Sequence, residues 1–148
     1  MRNTEEEVRR RLFALQDPAY RAFQCRLIPN VDAERVIGVR TPAVRELAAE
    51  LAGTPEAAEF LELLPHRYYD ENNLHGALLG RIKDYDAAAE AVEAFLPFVD
   101  NWATCDMLSP RVFKKHLPEL LERIRAWLAS NQTYTVRFGM SALVASVR

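Results

Sequence analysis

The sequence predicts an all-α protein built from antiparallel helix pairs stacked as a HEAT-like (α-α) solenoid. Three observations carry that expectation. Apolar residues recur at helical spacing: Ala88, Val92, Phe95, Leu96 and Val99 form one stripe, Leu117, Leu120, Leu121, Ile124 and Leu128 a second, and Val136, Met140, Leu143, Val144 and Val147 a third. No segment sustains the apolar/polar alternation of a half-buried strand. Helix-start signals punctuate the chain, most of them a capping residue followed by proline, whose missing N–H costs nothing in a first turn.

Taken in order, Thr4-x-x-Glu7 has the form of a capping box and opens a helix over 4–16. Asp17-Pro18 opens the next, over 18–27, and Thr41-Pro42 and Thr54-Pro55 repeat the signal ahead of helices over 42–52 and 55–64. Helices over 71–83 and 86–99 follow. A short helix over 102–108, or a longer one reaching 115, starts at Asn101 or Trp102 with Asp100 as its cap, and Ser109-Pro110 is a further start signal. Helices over 117–129 and 133–147 close the sequence. From about residue 55 these segments pair with short connections. Leu61 and Leu64 match Phe95 and Phe98 at a spacing of 34, and Leu96 matches Leu128 at 32, as in stacked two-helix repeats.

Composition bounds the rest. The 148 residues fit a single domain, 1–148, able to bury a core, and 49% hydrophobic with 27% charged residues is ordinary for a folded soluble chain. The N-terminus, Met1-Arg2-Asn3-Thr4-Glu5-Glu6-Glu7, is charged from the outset, unlike a secretory signal. No apolar run approaches the roughly 20 residues that span a bilayer. Cys25 and Cys105 show neither a CxxC spacing nor a histidine at metal-site spacing, so both read as reduced core thiols of a cytoplasmic protein with no membrane partner. The last helix stays apolar through Val144 and Val147. That face predicts either further C-terminal repeats or packing on another molecule, self-association included.

Charge is uneven. Residues 1–100 carry 12 Lys/Arg against 18 Asp/Glu, whereas residues 101–148 carry 7 against 3. Phosphate binding follows a local basic patch rather than the whole-chain net charge of −2. Within the basic part lies Asp100-Asn101-Trp102-Ala103-Thr104-Cys105-Asp106. Its indole and carboxylate, four residues apart, share one helix face and together can stabilise a cation. Arg137 stands alone in the apolar stretch Tyr134-Thr135-Val136-Arg137-Phe138-Gly139, which suggests one site assembled from two helices.

Each of these residues also has a plain structural reading. Trp102 fits core or helix-junction packing, Asp106 a cap or ion pair near Ser109-Pro110, and Arg137 a structural ion pair. Arg40, before Thr41-Pro42, fits an ion pair or cap, with phosphate contact as the alternative. Lys114 and Lys115 fit either a solvated face or sequence-independent phosphate contacts. Trp127 follows the 120/124/127 spacing of a core position. His75, in a helix N-terminal turn among Asn72, Asn73 and Gly76, reads as a structural histidine, and His66 and His116 show no partners.

From roughly Tyr20 onward the chain resembles the DNA alkylation repair family, the AlkD-like alkylpurine DNA glycosylases built from HEAT-like repeats. The marks are Gly38-Val39-Arg40-Thr41-Pro42 leading into Arg45-Glu46-Leu47-Ala48, then Tyr69-Asp70-Glu71-Asn72-Asn73-Leu74-His75-Gly76, then the Trp102/Asp106 and Arg137 stretches. The last two are the more specific. The resemblance implies hydrolysis of the N-glycosidic bond of cationic alkylated purines, of the 3-methyladenine or 7-methylguanine type, in duplex DNA without metal or cofactor. By position it implies that Trp102 lines the lesion site, that Asp106 is the catalytic carboxylate and that Arg137 belongs to the same cleft. The family uses a second tryptophan beyond the position where this sequence stops, so C-terminal repeats are expected to be lacking here. It is also thought to leave the lesion stacked and to work from the backbone side.

The chemistry suits these residue types. An alkylated purine is already cationic and leaves without protonation, moving positive charge to the sugar. An anion near the sugar, a held water and walls around the nucleotide then suffice. Asp106 can supply the first two, Trp102 a wall, and Arg137, Lys114, Lys115 and Arg40 the phosphate contacts. The alternatives are a non-catalytic HEAT-like module that binds DNA and a protein-interaction scaffold.

Overall fold

A computed structural model describes residues 3–147 of the chain. Its elements are α1 (Thr4–Ala14), α2 (Pro18–Leu27), α3 (Thr41–Leu51), α4 (Pro55–Glu62), α5 (Tyr69–Leu79), α6 (Tyr85–Phe95), α7 (Trp102–Met107), α8 (Leu117–Leu128) and α9 (Thr133–Ser146). Short 3₁₀ turns occupy Ala33–Arg35, Leu96–Phe98 and Arg111–Lys115. No strand occurs among the described residues, so the all-α expectation holds. The chain divides into two compact units, one up to Leu78 and one from Leu79.

The start signals are partly redistributed. Asp17 and Thr54 cap α2 and α4 as expected, accepting from the N–H groups of Tyr20 and Ala57. Asn3, not Thr4, caps α1 through the N–H of Glu6, while Glu7 turns to Arg10, so the capping box does not form. Thr41 lies inside α3, whose N-cap is Arg40 without a side-chain bond. The α5 helix begins earlier and ends earlier than the expected 71–83. The helix after Asn101 stops at Met107 and does not run on to 115. Leu108 leaves helical geometry, and Pro110 opens the 3₁₀ turn with no help from the Ser109 side chain.

In the first unit α1 packs on α4, and Val8, Leu12, Val44, Leu47, Leu51, Phe60 and Leu74 meet in one core. The α5 helix is buried nearly throughout although it is polar, and Tyr69, Asp70, Glu71 and His75 direct their polar groups to neighbours, while Asn72 Oδ1 meets no hydrogen-bond partner among the described residues. The Asp70 carboxylate accepts from the N–H groups of Ile37, Gly38 and Val39 at 2.6, 3.2 and 2.9 Å. Burial raises its pKa, and those three donors pull against the rise. Gly38 is required where it stands: its φ is +92°, and a Cβ there would lie 2.4 Å from Cβ of Arg21. Glu71 accepts from Tyr68 N–H at 2.9 Å and from Arg9 at 3.1 Å. The Tyr69 hydroxyl accepts from Gln24 at 2.9 Å.

His75 is buried and sits in the second turn of α5 rather than the first, its Nδ1 2.8 Å from Nε2 of His66. His66 therefore does have a partner, and Phe60 stacks on its other side at 4.3 Å between centroids.

In the second unit the first predicted stripe is fully inside: Ala88, Val92, Phe95, Leu96 and Val99 are all buried. The second divides, with Leu120 and Ile124 inside and Leu117, Leu121 and Leu128 exposed, because Trp127 completes the inward line beside Phe113 and Phe138. The third lies largely outside. The inward line of α9 is Thr135, Phe138 and Gly139, leaving Met140, Val144 and Val147 at 57%, 52% and 78% exposure. The helices α8 and α9, joined by residues 129–132, pack against one another as a hairpin. His116 is not without partners either: it stacks on Tyr85 at 4.7 Å, and its Nδ1 is 3.6 Å from Glu119.

Both cysteines are free thiols, Cys105 buried and Cys25 only half-buried. Among the described residues no helix is long and apolar enough to cross a membrane, and no group of three or more His, Cys, Asp or Glu is placed to hold a metal ion.

Candidate functional site

Asn101 sets the site. Its fully buried side chain accepts from Thr104 N–H at 2.8 Å, fixing the start of α7, and its amide donates to Asp100 at 3.0 Å. The cap is therefore Asn101 rather than Asp100, which serves as the acceptor behind it. A helix started there turns Ala103, Thr104 and Cys105 inward, and Trp102 and Asp106, one turn apart, outward.

The inward residues tie α7 to α9. The Cys105 thiol donates to the backbone carbonyl of Tyr134 at 3.4 Å. Burial, and then the charge of Asp106, push that thiol up to about 12, so it stays protonated and serves as a packed anchor. Across this junction Arg137 meets Asp106 in a two-pronged pair, Nε donating to one carboxylate oxygen at 2.8 Å and Nη2 to the other at 2.7 Å. Hydrogen bonding to Asp106 raises the Arg137 guanidinium above its ordinary value.

All three groups reach solvent. Trp102 is 41% exposed, and the side chains of Asp106 and Arg137 are 38% and 46% exposed. The pair opens onto a cleft of about 620 Å³ bordered by Asp106, Arg137, Thr133, Met140, Ser141 and Val144. All of its lining residues except Asp106 lie on α9, with Val136, Met140 and Val144 supplying apolar surface beside the charged pair. Trp102 lies outside this lining, one helical turn before Asp106.

The remaining candidates stand elsewhere. Lys114 and Lys115 are exposed on the 3₁₀ turn that follows α7, outside the cleft lining. Arg40 belongs to the first unit. Its Nε donates to Asp17 at 2.8 Å, and its guanidinium lies 5.1 Å from the Tyr20 ring centre. Asp17 is held below its usual range, first by that bond and then by Tyr20 N–H. Sequence reasoning overlooked Asn101 as the organising residue, although asparagine before a helical turn is a recognised cap. It also overlooked Cys105 as the tie between the two helices. No signal in the chain marks a thiol that will point at a carbonyl 29 positions away.

A family model described as DNA alkylation repair enzyme matches residues 8–148. No curated protein and no solved structure matches the chain. With nearly its whole length covered, the chain belongs to the DNA alkylation repair enzyme family.

Proposed function

We propose that this DNA-repair protein hydrolyses the N-glycosidic bond of cationic alkylated purines, of the 3-methyladenine or 7-methylguanine type, in duplex DNA. The observation that carries the reading is the solvent-open Asp106–Arg137 pair at a cleft, with the exposed Trp102 ring one turn away on the same helix. A carboxylate and an aromatic face so placed suit a sugar that becomes positive as the base leaves.

In this mechanism the C1′–N bond breaks and its electron pair neutralises the departing alkylated base. The sugar carries the charge as an oxocarbenium-like species. Asp106 faces that charge, and its stabilisation is differential because the charge develops only in the transition state. Water, held in place by Asp106, adds to C1′ and its proton passes to bulk solvent, leaving the hydroxylated sugar and the neutral base. The Trp102 ring packs on the sugar. Arg137 engages a backbone phosphate and sets the register of the strand, with Lys114 and Lys115 as further phosphate contacts. Arg40 is assigned the same role through its exposed guanidinium, in competition with its bond to Asp17. Self-association through the exposed α9 face remains part of this proposal.

Base release from duplex DNA methylated at purines tests it. The chain should liberate 7-methylguanine or 3-methyladenine, and Asp106→Asn should slow release by about 10²–10³-fold while duplex affinity stays equal or rises. Unchanged release by that variant removes Asp106 from the mechanism. The second reading, a non-catalytic DNA-binding module, is favoured by one observation: both Asp106 oxygens are engaged by Arg137. No release by the wild-type chain, with salt-dependent duplex binding intact, would select it.

A further inference from the structure

The turn between α5 and α6 and the 3₁₀ turn Arg111–Lys115 are distant in sequence but touch in the second unit, where Arg111 N–H donates to the carbonyl of Gly80 at 3.3 Å. That contact gathers Arg81 and Lys83 from one turn and Arg111, Lys114 and Lys115 from the other. All five are exposed. None forms an ion pair among the described residues, whereas Arg123 and Arg137 of the same unit pair with Glu93 and Asp106. The nearest acid in sequence, Asp84, spends its carboxylate on capping α6 through Ala87 N–H at 2.9 Å. Asp86 follows in the first turn of α6, and Glu119 stands beside His116.

Five unneutralised cations on two short turns repel one another. The fold holds them there through an anchor beneath: Val112 and Phe113 are buried, and Phe113 sets its ring edge-on to Tyr85 at 5.7 Å. Neither turn exposes a large apolar side chain, so the surface lacks the aromatic or aliphatic hot spot of a protein interface. Charge without apolar anchors suits a partner that is itself a uniform line of charge.

We infer that these two turns form a phosphate-tracking surface, separate from the Asp106–Arg137 cleft lining, that takes the sugar–phosphate backbone of duplex DNA through Arg81, Lys83, Arg111, Lys114 and Lys115. The choice of DNA as the polyanion rests on the repair reading above. The surface reads no sequence, and its contribution is affinity that falls with salt as counterions are released.

Fluorescence anisotropy of the full chain on an undamaged DNA duplex, across a salt series, tests it. The double variants Arg81→Ala/Lys83→Ala and Lys114→Ala/Lys115→Ala should each lower the steepness of log K against log salt by about 1 to 2. They should weaken binding equally on unrelated sequences. Arg125→Ala, which removes an exposed charge near the far end of α8, should leave the slope unchanged. Because all the substitutions fall on exposed side chains, helical circular dichroism should match the wild type. The duplex carries no lesion, so a failure of base release would sink the catalytic reading and leave this result standing. Unchanged slopes in both double variants overturn the inference, as does tighter binding of an RNA duplex than of DNA through the same five residues.

Discussion

Acidification should destabilise this protein well above the pH at which its ordinary carboxylates titrate, through the buried imidazole pair of the first unit. His66 Nε2 and His75 Nδ1 lie 2.8 Å apart, so one ring donates and the other accepts, and protonating both would set donor against donor. Burial holds His66 down at about 4, helped by the charge of Arg9, and His75 at about 3, helped by His66. Unfolded, both return to 6.5. Their folded values are depressed, so the stability they contribute is complete above pH 6.5. It drains away as the pH falls from there toward 4 and 3, because the unfolded chain takes up protons that the folded one refuses. At pH 5 each histidine costs about 2 kcal/mol, and the two together about 4, by proton linkage. That is a large part of the 5–15 kcal/mol that typically holds a domain together. Asp70 and Glu71, whose carboxyls burial raises, act in the opposite sense as the pH falls. The quantity to read is therefore the difference between wild type and His66→Phe/His75→Leu in urea unfolding at pH 8, 7, 6 and 5. The wild type should lose stability relative to the variant below pH 6.5. A constant difference, or His66 and His75 proton resonances of the folded protein that titrate near 6.5, would refute the reasoning.

Two further predictions concern the cleft and the chain path. Both members of the Asp106–Arg137 pair are more than a third exposed, so solvent screening limits its contribution to stability to below about 1 kcal/mol. Arg137→Gln should therefore lower Tm by only a few degrees, and a loss above about 2 kcal/mol would recast the pair as structural. If Asp106 works on the sugar cation, its removal should instead slow single-turnover base release by about 10²–10³-fold, the range seen for one preorganised charge-stabilising group. Gly38 and Gly53 both have positive φ, +92° and +81°, but an added Cβ meets Arg21 at 2.4 Å in the first and nothing within 4 Å in the second. Gly53→Ala should cost about 1 kcal/mol from backbone strain alone, and Gly38→Ala clearly more, because strain and overlap combine. Equal midpoints for the two variants in thermal unfolding would contradict this.

Periodicity revealed the helices where the inward line is large and apolar, as in α6, whose stripe from Ala88 to Phe95 is wholly buried. It did not reveal the inward line of α9, which is Thr135, Phe138 and Gly139, while the greasier line through Met140 and Val144 faces out. An apolar stripe shows that a helix has a preferred face, and which face turns inward is decided by the neighbour. That Trp102 and Asp106 share a face followed from their spacing, since i and i+4 lie one above the other; that this face turns outward did not. The bond from Asp106 to Arg137 crosses 31 positions and did not follow from spacing. The stretch from Gly38 to Pro42 and the polar run of α5 looked like two separate weak signals. They are two sides of one joint, since the Asp70 carboxylate is what the amides of residues 37–39 converge on. The basic surface on the second unit was half visible as Lys114 and Lys115. Arg81 and Lys83 join it through a backbone contact that no local pattern announces.

The buried thiol one residue before Asp106 has a consequence for a protein of a DNA alkylation repair family. Electrophiles that scar nucleic acid also attack sulfur, and they attack the anion. With Cys105 pushed up to about 12 and its S–H turned to the Tyr134 carbonyl, only about one molecule in 10⁵ carries that anion at pH 7. The thiol beside the cleft is thereby held in its protonated, weakly nucleophilic form.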